Sequence, residues 1–399
     1  MADHPTRDDI DLVSGAFWGT NPHDAFTWMR ANAPVYWDGR VWGITKHADL
    51  KAISKDPATF SNAQGIRPDA MAIPMMIDMD DPEHLARRKL VNKGFTPRRV
   101  REREDEIRAV CDEIIDRVCE KGECDFVWDI AAPLPLIMIG NDLGVAPEDR
   151  EQLLEWSDAM LTALTGDPEA IGPAAEAFGG YTEYATRVIS DRKENPREDL
   201  MSVLCHAAVD GDQLDHDSLV HESLLSLIGG DETTRHVISG GAYQLLVDRS
   251  NWDDLARSED PGLLGTAVEE MLRWVTPIKN MNRTATRDVE VGGQMIRRGD
   301  KVLLLYPSAN RDEDVFVDPF RFDIRRDPND HVAFGFGTHF CLGNSLARLE
   351  LRVMFEQLLT RLPDLELISA TEPAYRSANF VSGYESMPVR FSPVAPVGA

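Results

Sequence analysis

The sequence is poor in positive charge and lacks long apolar runs. Its 399 residues include 42 Lys plus Arg against 68 Asp plus Glu, which gives a formal net charge of −26. Nucleic acids and anionic membranes bind basic surfaces, so this balance argues against partners of either kind. The longest apolar stretches, such as residues 131–140, contain prolines and fall short of the ~18 residues that a membrane helix needs. We therefore expect no membrane anchor.

Cysteine is scarce, and its number is odd. Five cysteines in so long a chain are typical of a reducing compartment and provide no disulfide framework. Cys119 and Cys124 lie five positions apart, but no second pair of ligands with zinc spacing accompanies them, so we interpret both as core or surface thiols. The polar, acidic first residues show no leader pattern. The sequence thus predicts a cytoplasmic protein.

Apolar spacing predicts a mainly α fold with small peripheral β-sheets. The hairpin dipeptide Asp38-Gly39 lies between two short β-type runs, so about residues 1–65 are expected to form a β-rich N-terminal part. About residues 66–399 are expected to form a helical bulk, and no linker or repeat divides this single domain, 1–399. Helical spacing predicts helices at residues 83–93, 97–121, 148–164, 174–194, 200–208, 217–248, 251–260, 263–274 and 341–362. Short β signals lie at residues 289–291 and 301–306.

The strongest local signal is the segment FGFGTHFCLG at residues 334–343, which a predicted helix follows directly. A cysteine at a helix N-terminus has its thiolate stabilised by the helix dipole and by unpaired backbone N–H groups. Glycines such as Gly335 allow tight turns and a close approach to a flat partner, and Phe334 and its aromatic neighbours exclude water. The pattern predicts that Cys341 ligates a metal cofactor rather than serving as a structural thiol.

A second signal lies inside the long predicted helix 217–248. Gly229 and Gly230 each cost about 1 kcal/mol relative to Ala in a helix, which favours a groove where a ligand or O₂ lies against the backbone. Glu232 and Thr233 place a carboxylate and a hydroxyl beside that groove, as in a proton relay. The alternative is that Thr233 bonds back to a carbonyl of the preceding turn and only bends the helix. The motif alone leaves the two interpretations evenly balanced.

A pair of opposite charges stands on one face of another predicted helix. Glu270 and Arg273 are spaced i, i+3. Most such pairs are solvated and contribute little, but the apolar residues around this one favour a buried helix. Arg321, further downstream, offers a second guanidinium. We expect these three residues to form a buried ionic network.

Basic side chains form two further sets. His84, Arg88, Arg283 and His339 are suited together to hold two acidic groups on a flat cofactor. A second set is concentrated in one stretch of this acidic chain. It is interpreted equally well as a solvated helix face or as a docking patch for an acidic protein. Its members are Arg87, Arg88, Lys89, Lys93, Arg98, Arg99, Arg101 and Arg103.

These motifs, in this order, resemble the soluble bacterial form of the cytochrome P450 family of haem-thiolate monooxygenases. The resemblance covers essentially the whole chain and implies haem b as the cofactor, with Cys341 as the axial ligand of its iron. It also implies that Glu232 and Thr233 deliver protons during oxygen activation, that O₂ is a co-substrate, and that a ferredoxin with its ferredoxin reductase supplies electrons. The other residues that it assigns to the cofactor and its pocket are His84, Arg88, Gly229, Gly230, Arg283, Phe334, Gly335 and His339.

A closer similarity lies in the segments at residues 65–68, 74–82 and 379–383. They resemble mycobacterial-type enzymes that oxidise the terminal side-chain carbon, C26 or C27, of cholesterol or cholest-4-en-3-one, with further oxidation to the carboxylic acid. A sterol would bind mainly by apolar burial, which contributes about 25 cal/mol per Å². The expected apolar lining comprises Ile66, Met71, Ile73, Pro74, Met75, Ile278, Met281, Phe380 and Val381.

Other functions stay open at this point. A monooxygenase for another lipid, such as a fatty acid or a terpenoid, would share the same haem motifs. A non-catalytic haem-thiolate sensor or carrier needs no acid–alcohol pair, so Glu232 and Thr233 argue against it. A structural zinc module is disfavoured by the lack of paired ligands. We expect the chain to act as a monomer.

Overall fold

The computed structural model describes residues 4–163, 168–208 and 211–398, which form fifteen α-helices. The helices are α1 (Gly15–Gly19), α2 (His23–Asn32), α3 (His47–Ser54), α4 (Glu83–Val91), α5 (Pro97–Arg101), α6 (Glu104–Asp116), α7 (Pro133–Leu143), α8 (Arg150–Ala163), α9 (Ile171–Glu194), α10 (Leu200–His206), α11 (His216–Val247), α12 (Arg249–Arg257), α13 (Leu263–Val275), α14 (Tyr306–Ala309) and α15 (Asn344–Arg361). Short 3₁₀ or π turns lie at Met76–Asp78, Asn92–Gly94, Phe126–Ala131, Pro147–Asp149, Pro168–Ala170 and Gly337–His339.

Ten short strands accompany the helices within the same described ranges. The strands are β1 (Val35–Trp37), β2 (Trp42–Ile44), β3 (Phe60–Ser61), β4 (Glu123–Asp125), β5 (Asn280–Ala285), β6 (Val289–Val291), β7 (Gln294–Ile296), β8 (Lys301–Leu305), β9 (Glu366–Leu367) and β10 (Pro388–Arg390). They form a five-stranded sheet in the order β1-β2-β8-β5-β3, a three-stranded sheet, β4-β10-β9, and the hairpin β6-β7. The predicted fold class, mainly α with small sheets, is confirmed.

The first 65 residues correct one expectation. The hairpin at Asp38-Gly39 is present, with Val35 paired to Ile44. However, α1, α2 and α3 occupy more of this region than β1, β2 and β3 do, so the region is not β-rich. Its strands belong to the same sheet as β5 and β8, which lie more than two hundred residues later in the chain. The single domain over residues 1–399 stays a prediction.

The predicted helix 97–121 is divided into α5 and α6. The hydroxyl of Thr96 accepts a hydrogen bond from Arg99 N at 3.4 Å and caps α5, as expected of threonine before a proline at the first helical position. At the break, the side chain of Arg103 turns inward and donates to Asp142. The sequence pattern cannot show this turn, because apolar spacing continues across it. The predicted helix end at Leu164 lies outside the described residues.

α7 was not predicted, because Pro133 and Pro135 argue against a helix interior. Both prolines lie in the first turn, where a backbone N–H has no helical acceptor and proline is tolerated. The stretch Phe126–Leu143, which includes α7, is long and apolar enough to span a membrane by length and composition, with a mean hydropathy of 1.2. Of the residues in this stretch, 67% are buried, and they pack in the main core. Burial inside the fold therefore accounts for the apolar character of the stretch.

α11 runs through the centre of the molecule and is buried on nearly all sides. Its N-terminal half, with Leu219 and Leu227, packs with α8, α9 and α10. Its C-terminal half, with Val237 and Leu245, packs with α6, α13 and α15. The residues between these halves face the segment that carries Cys341 across a cavity. The two apolar cores therefore hold the two walls of that cavity in place.

Candidate active site

The cavity lies between α11 and the segment before α15. Gly229, Gly230 and Thr233 line the first wall, and Phe334 and Cys341 line the second. A Cβ added at Gly229 would meet nothing within 4 Å, so the absence of a side chain leaves the cavity open at that point. The two strongest motifs of the sequence therefore face one another, as the ligand-groove interpretation requires.

Cys341 is held in position by hydrogen bonds on both sides. Its backbone N–H donates to Phe334 O at 2.9 Å, and Asn344 Nδ2 donates to Cys341 O at 2.8 Å. Helix α15 begins at Asn344, three residues beyond the cysteine, rather than at the cysteine as predicted. The thiol opens onto the cavity.

Opposing effects act on the ionisation of this thiol. Burial raises the pKa of Cys341, while the backbone N–H groups of Gly343 and Asn344 and the charges of Arg88 and Arg348 lower it. The N–H groups expected to stabilise a thiolate are therefore present, but burial outweighs them. A thiolate in this position needs a bound cation on its sulfur, which is what a haem iron supplies.

Two glycines shape the loop ahead of the cysteine. Gly335 and Gly337 have φ angles of +71° and +73°, a conformation that strains residues with a side chain. A Cβ at Gly337 would lie 2.1 Å from Ser54 O, the last residue of α3. This close contact fixes the loop against α3.

Four basic side chains converge on the cavity, namely His84, Arg88, Arg283 and His339. The rings of His84 and His339 lie with centroids 4.1 Å apart. Nδ1 of His84 is 3.1 Å from Asp81 Oδ1, whereas its Nε2 is buried and has no hydrogen-bond partner among the described residues. Burial lowers the pKa of both imidazoles, that of His339 to about 2.

Each of the two arginines of this set donates to a backbone carbonyl, and Arg283 also bonds to the hydroxyl of Tyr306. Arg88 donates to Phe340 O, and Arg283 NH1 donates to Asn282 O at 2.8 Å. Burial lowers the pKa of both guanidinium groups. Buried cations require an anionic partner, and the part of the chain that is described places no carboxylate in hydrogen-bond contact with either one. Two propionate groups of a haem fit this arrangement together with the unpartnered nitrogen of His84.

Glu270 is the centre of a fully buried ionic network. Arg273 Nε and NH2 donate to its two oxygens at 2.7 Å each. Arg326 Nε lies 3.2 and 3.1 Å from the same oxygens, and Asn329 Nδ2 donates at 3.1 Å. The prediction of Arg321 as the third member is wrong, because its side chain is exposed and only its carbonyl accepts hydrogen bonds from the other two arginines. Arg326 takes that place because the chain turns back in this irregular segment.

Thr233 and Glu232 occupy different environments. Thr233 lines the cavity, and its hydroxyl donates to Gly229 O at 2.9 Å. The hydroxyl of Thr233 thus bonds back to a carbonyl of the preceding turn, as one interpretation predicted. Thr233 also faces the cavity, as the other interpretation predicted. Glu232 is buried behind the lining, where its Oε1 accepts from Arg235 and Arg376 at 2.6 Å each. The role of the pair in proton delivery stays a prediction.

The predicted substrate lining is present in part. Ile66, Ile278 and Met281 line the cavity. Phe380 and Val381 lie one layer behind and pack on those three residues. These five residues form the apolar end of the cavity and the layer behind it.

Four residues of the predicted lining lie elsewhere. Met71 is 90% exposed and Ile73 is 40% exposed, and Pro74 is exposed as well. Met75 is buried in the helical core of α8, α9 and α11. The neighbouring residues Met76 and Ile77 line the cavity instead. Sequence alone identified the correct segment but could not show which of its residues turn inward, because the segment has no regular periodicity.

Several members of the basic cluster are engaged in local bonds. Arg87 donates to Pro74 O, Ser218 and Glu222, and Lys93 Nζ donates to Ala208 O. Arg98 pairs with Glu102, and Arg103 pairs with Asp142. Lys89 and Arg101 are exposed, and Arg101 lines a surface groove beside α15. The bonded members are therefore engaged within the fold, and the docking role of the cluster stays a prediction.

Sequence reasoning missed Asp231, which is fully buried with neither oxygen hydrogen-bonded in the described part of the protein. The signal was a second acidic residue inside an otherwise apolar helix. In addition, within the described ranges no group of three or more His, Cys, Asp or Glu side chains is placed to hold a metal ion. A site with one protein ligand suits an iron whose other ligands come from a porphyrin.

Comparisons with known proteins agree with this geometry. The model of the family described as "Cytochrome P450" matches residues 248–380. A "Steroid C26-monooxygenase" of Mycolicibacterium smegmatis is 54% identical over 397 residues, covering 98% of each chain, and one of Mycobacterium tuberculosis is 53% identical over 396 residues, covering 98% of this chain and 99% of the relative. The solved structure of a Mycobacterium marinum cytochrome P450 in complex with pseudoionone is 35% identical, with a TM-score of 0.88, and the match covers 98% of this chain and 100% of that one.

These relatives are similar over nearly their whole length, and in this chain Cys341 lies on the wall of the cavity. All five cysteines are free thiols. Among these five, only Cys341 lines the cavity. The chain therefore belongs to the cytochrome P450 family of haem-thiolate proteins.

Proposed function

We propose that this protein hydroxylates the terminal side-chain carbon, C26 or C27, of cholesterol or cholest-4-en-3-one and oxidises the alcohol further to the carboxylic acid. The observation that carries the proposal is the cavity, in which an apolar end at Ile66, Ile278 and Met281 continues to Thr233 and Cys341. The similarity to two steroid C26-monooxygenases over nearly the whole chain supports this substrate class.

The chemistry divides between the cofactor and the chain. Haem, when bound, supplies the activation of O₂ for hydroxylation of a C–H bond. The chain holds the propionates with His84, Arg88, Arg283 and His339, and Phe334 shields the sulfur of Cys341 from water. Thr233 and Glu232 move protons on the α11 side of the cavity.

Binding of cholest-4-en-3-one to the haem-loaded protein tests the substrate class. Because a bound sterol displaces water from the iron, we expect a concentration-dependent shift of the haem absorption from low to high spin. Turnover should yield a sterol oxidised at the end of the side chain, identified by mass spectrometry. A straight-chain fatty acid and a terpenoid serve as rival substrates, and a larger shift and faster turnover with either one would overturn the steroid assignment. Binding without any turnover would favour a sensor or carrier.

The thiolate assignment has its own test. Cys341→Ala removes the only cysteine sulfur of the cavity, so we expect loss of the absorption band of the reduced carbon-monoxide complex for which the family is named. Cys205→Ala is the matched control, because that thiol is partly buried outside the cavity. Retention of the band in Cys341→Ala would contradict the assignment.

We infer further that a ferredoxin supplies the electrons and docks beside α15. Arg101, Arg348 and Arg352 line one surface groove there. Glu269 and Glu104 of the same groove pair with Arg348 and Arg352, so Arg101 is the groove's unpaired cation among the described residues, in a protein of net charge −26 that repels acidic partners elsewhere. Attraction between opposite charges mainly speeds association and weakens with salt. Lys89→Glu with Arg101→Glu should slow ferredoxin-driven turnover and flatten its salt dependence, while Lys121→Glu, an exposed change elsewhere, should not. Equal rates for the double variant and its parent at low salt would place the docking surface elsewhere.

We also infer that the protein is located in the cytoplasm, because all five cysteines are free thiols, as is typical of a reducing compartment. A monomer is the expected form in solution. Sedimentation of the haem-loaded protein tests it, and a concentration-dependent dimer would contradict it.

A further inference from the structure

A group of buried polar atoms beside the middle of α11 lacks protein partners. Both oxygens of Asp231, Glu232 Oε2, two nitrogens of Arg235 and both ring nitrogens of His236 are buried without a hydrogen-bond partner in the described residues. Buried polar groups in folded proteins are paired with protein atoms or with water. The region is therefore suited to ordered water, which needs several polar partners at one place.

In this cluster, acids outnumber bases. Glu232 Oε1 accepts from Arg235 and Arg376 at 2.6 Å each. Asp158 Oδ1, on α8, lies 3.8 Å from Arg235 and 4.0 Å from Arg376. Asp231 stands one turn before Arg235 on α11. Three carboxyl groups thus face two guanidinium groups, and because an uncompensated buried charge is costly, one carboxyl group is expected to hold a proton.

Asp231 is the carboxyl group best suited to hold it. Burial raises the pKa of Asp231 to about 7, Arg235 lowers it, and Glu232 and Asp158 raise it further. Burial and the neighbouring carboxyl group of Asp158 also raise the pKa of Glu232, but Arg235 and Arg376, which both bond to Glu232, act against this, whereas neither oxygen of Asp231 has such a bond. Asp158 is 33% exposed, so although its Oδ1 is buried without a hydrogen-bond partner in the described residues, its carboxyl group keeps a contact with solvent that Asp231 lacks.

Two other basic groups lie near the cluster. His236 is neutral, because burial lowers its pKa well below the ordinary value. The amine of Lys279 donates to the carbonyls of Val275 and Thr276 rather than to the cluster, and burial lowers its pKa to about 7. Neither group neutralises the third carboxylate.

We propose that Asp231 is a proton-holding residue that supplies the relay formed by Glu232 and Thr233. This inference rests on the monooxygenase function proposed above. The cluster reaches solvent at Asp158 and Arg376, which are 33% and 27% exposed, and it reaches the cavity at Thr233. The unpartnered Oε2 of Glu232 accepts the proton that leaves the Asp231 carboxyl, and Thr233 passes it on to the cavity. A proton from bulk water, entering beside Asp158, then restores the acid.

Infrared spectroscopy of the haem-loaded protein, without substrate, tests this proposal. The spectral region of the C=O stretch of protonated carboxyl groups should contain a component from Asp231. This component should disappear as the pH is raised, with a midpoint near pH 7. Asp231→Asn should lack that component, and Asp217→Asn, an exposed change on the same helix, should keep it. Glu222 and Glu350, whose pKa values burial raises to about 7 and about 8, account for the components that both variants retain. An unchanged spectrum of Asp231→Asn would overturn the proposal.

A second variant keeps the test decisive if Asp231→Asn fails to fold. Asp158→Asn removes a partly exposed charge that raises the pKa of Asp231, so the midpoint of the component should move to lower pH. An unchanged midpoint would overturn the assignment to Asp231.

Turnover provides the functional measurement. In Asp231→Asn, product formed per electron consumed should fall about tenfold, less than the ~10²–10⁴-fold effect of a group that donates directly, with the sterol-induced spin shift unchanged. Unaltered coupling would overturn the role in proton supply. If the parent protein converts no sterol, the steroid function fails, whereas the infrared component still decides the proposal for Asp231.

Discussion

Two buried acidic clusters lie on neighbouring helices and differ in one respect. Glu270 on α13 has both oxygens bonded to arginine and asparagine side chains. Asp231 and Glu232 on α11 retain three carboxylate oxygens without any hydrogen bond in the described chain. The first cluster joins α13 to the segment before the Cys341 loop, and the second lies beside the cavity.

The comparison separates structural from functional uses of a buried charge. When every oxygen of a buried carboxylate is bonded, loss of one partner leaves an uncompensated charge, so the network resists change. When oxygens are unbonded, water and protons can exchange there, and the cluster is expected to contribute less to stability. Substitutions in the Glu270 network should therefore destabilise the fold more than substitutions in the Asp231 cluster.

Glu270→Gln should be the most destabilising change. It removes the charge that Arg273 and Arg326 share, leaving two buried cations unpaired, at a cost of about 3–5 kcal/mol. Thermal unfolding and haem incorporation measure the effect. A variant that unfolds at the temperature of the parent protein would show that the network is not structural.

The pH dependence of stability should distinguish the second cluster. Because the pKa of Asp231 is raised in the folded state to about 7, from an ordinary value of 3.8, the folded protein binds this proton more tightly than the unfolded chain does. The resulting stabilisation is complete below pH 3.8 and is lost as the pH rises through 7. Relative to Asp231→Asn, the parent should therefore lose up to about 4 kcal/mol over this window. Denaturant unfolding at several pH values measures the difference, and parallel curves for the two proteins would contradict it.

Arg326→Ala should destabilise the protein by about 2 kcal/mol, since it removes charged hydrogen bonds from Glu270 while Arg273 remains. Arg321→Ala is the matched control, and because that side chain is exposed, its effect should stay within about 0.5 kcal/mol. Chemical unfolding of both variants compares them directly. A larger effect of Arg321→Ala would reverse the assignment made from the structure.

Thr233→Ala should have the smallest effect on stability, within about 1 kcal/mol, because it removes one hydrogen bond to Gly229 O. Its effect on chemistry should be large, since electrons should be diverted from product to peroxide while haem and sterol binding persist. The ratio of product to electrons consumed measures this. Full coupling in the variant would remove Thr233 from the proton relay.

Local motifs predicted the parts of the site in which short-range geometry decides the outcome. Cys341 before a helix, Glu270 and Arg273 one turn apart, and the glycines of α11 follow from spacing alone. Their placement around one cavity depends on the tertiary fold, and the family resemblance rather than periodicity supplied it.

The errors lie where the chain has no regular period. Arg321 and Arg326 are equally plausible partners of Glu270 from sequence, and only the turn of the irregular segment decides between them. Met71 and Ile73 are apolar but exposed, because a loop has no alternation that marks its buried side. Asp231 was missed because the sequence shows a second acidic residue beside Glu232 but not whether its side chain is buried or has a partner.

The five-stranded sheet has a consequence for the order of assembly during synthesis. β2 pairs in parallel with β8, so that Trp42 lies opposite Val302. The ribosome therefore releases the N-terminal strands long before their partner strand exists, and contacts between such distant residues form slowly. β1 and β2 can pair with each other early, but the other edge of β2 stays unpaired until most of the chain has emerged. Ribosome-bound chains that end before β8 should thus be sensitive to protease in their first 65 residues, whatever helices have already formed behind them.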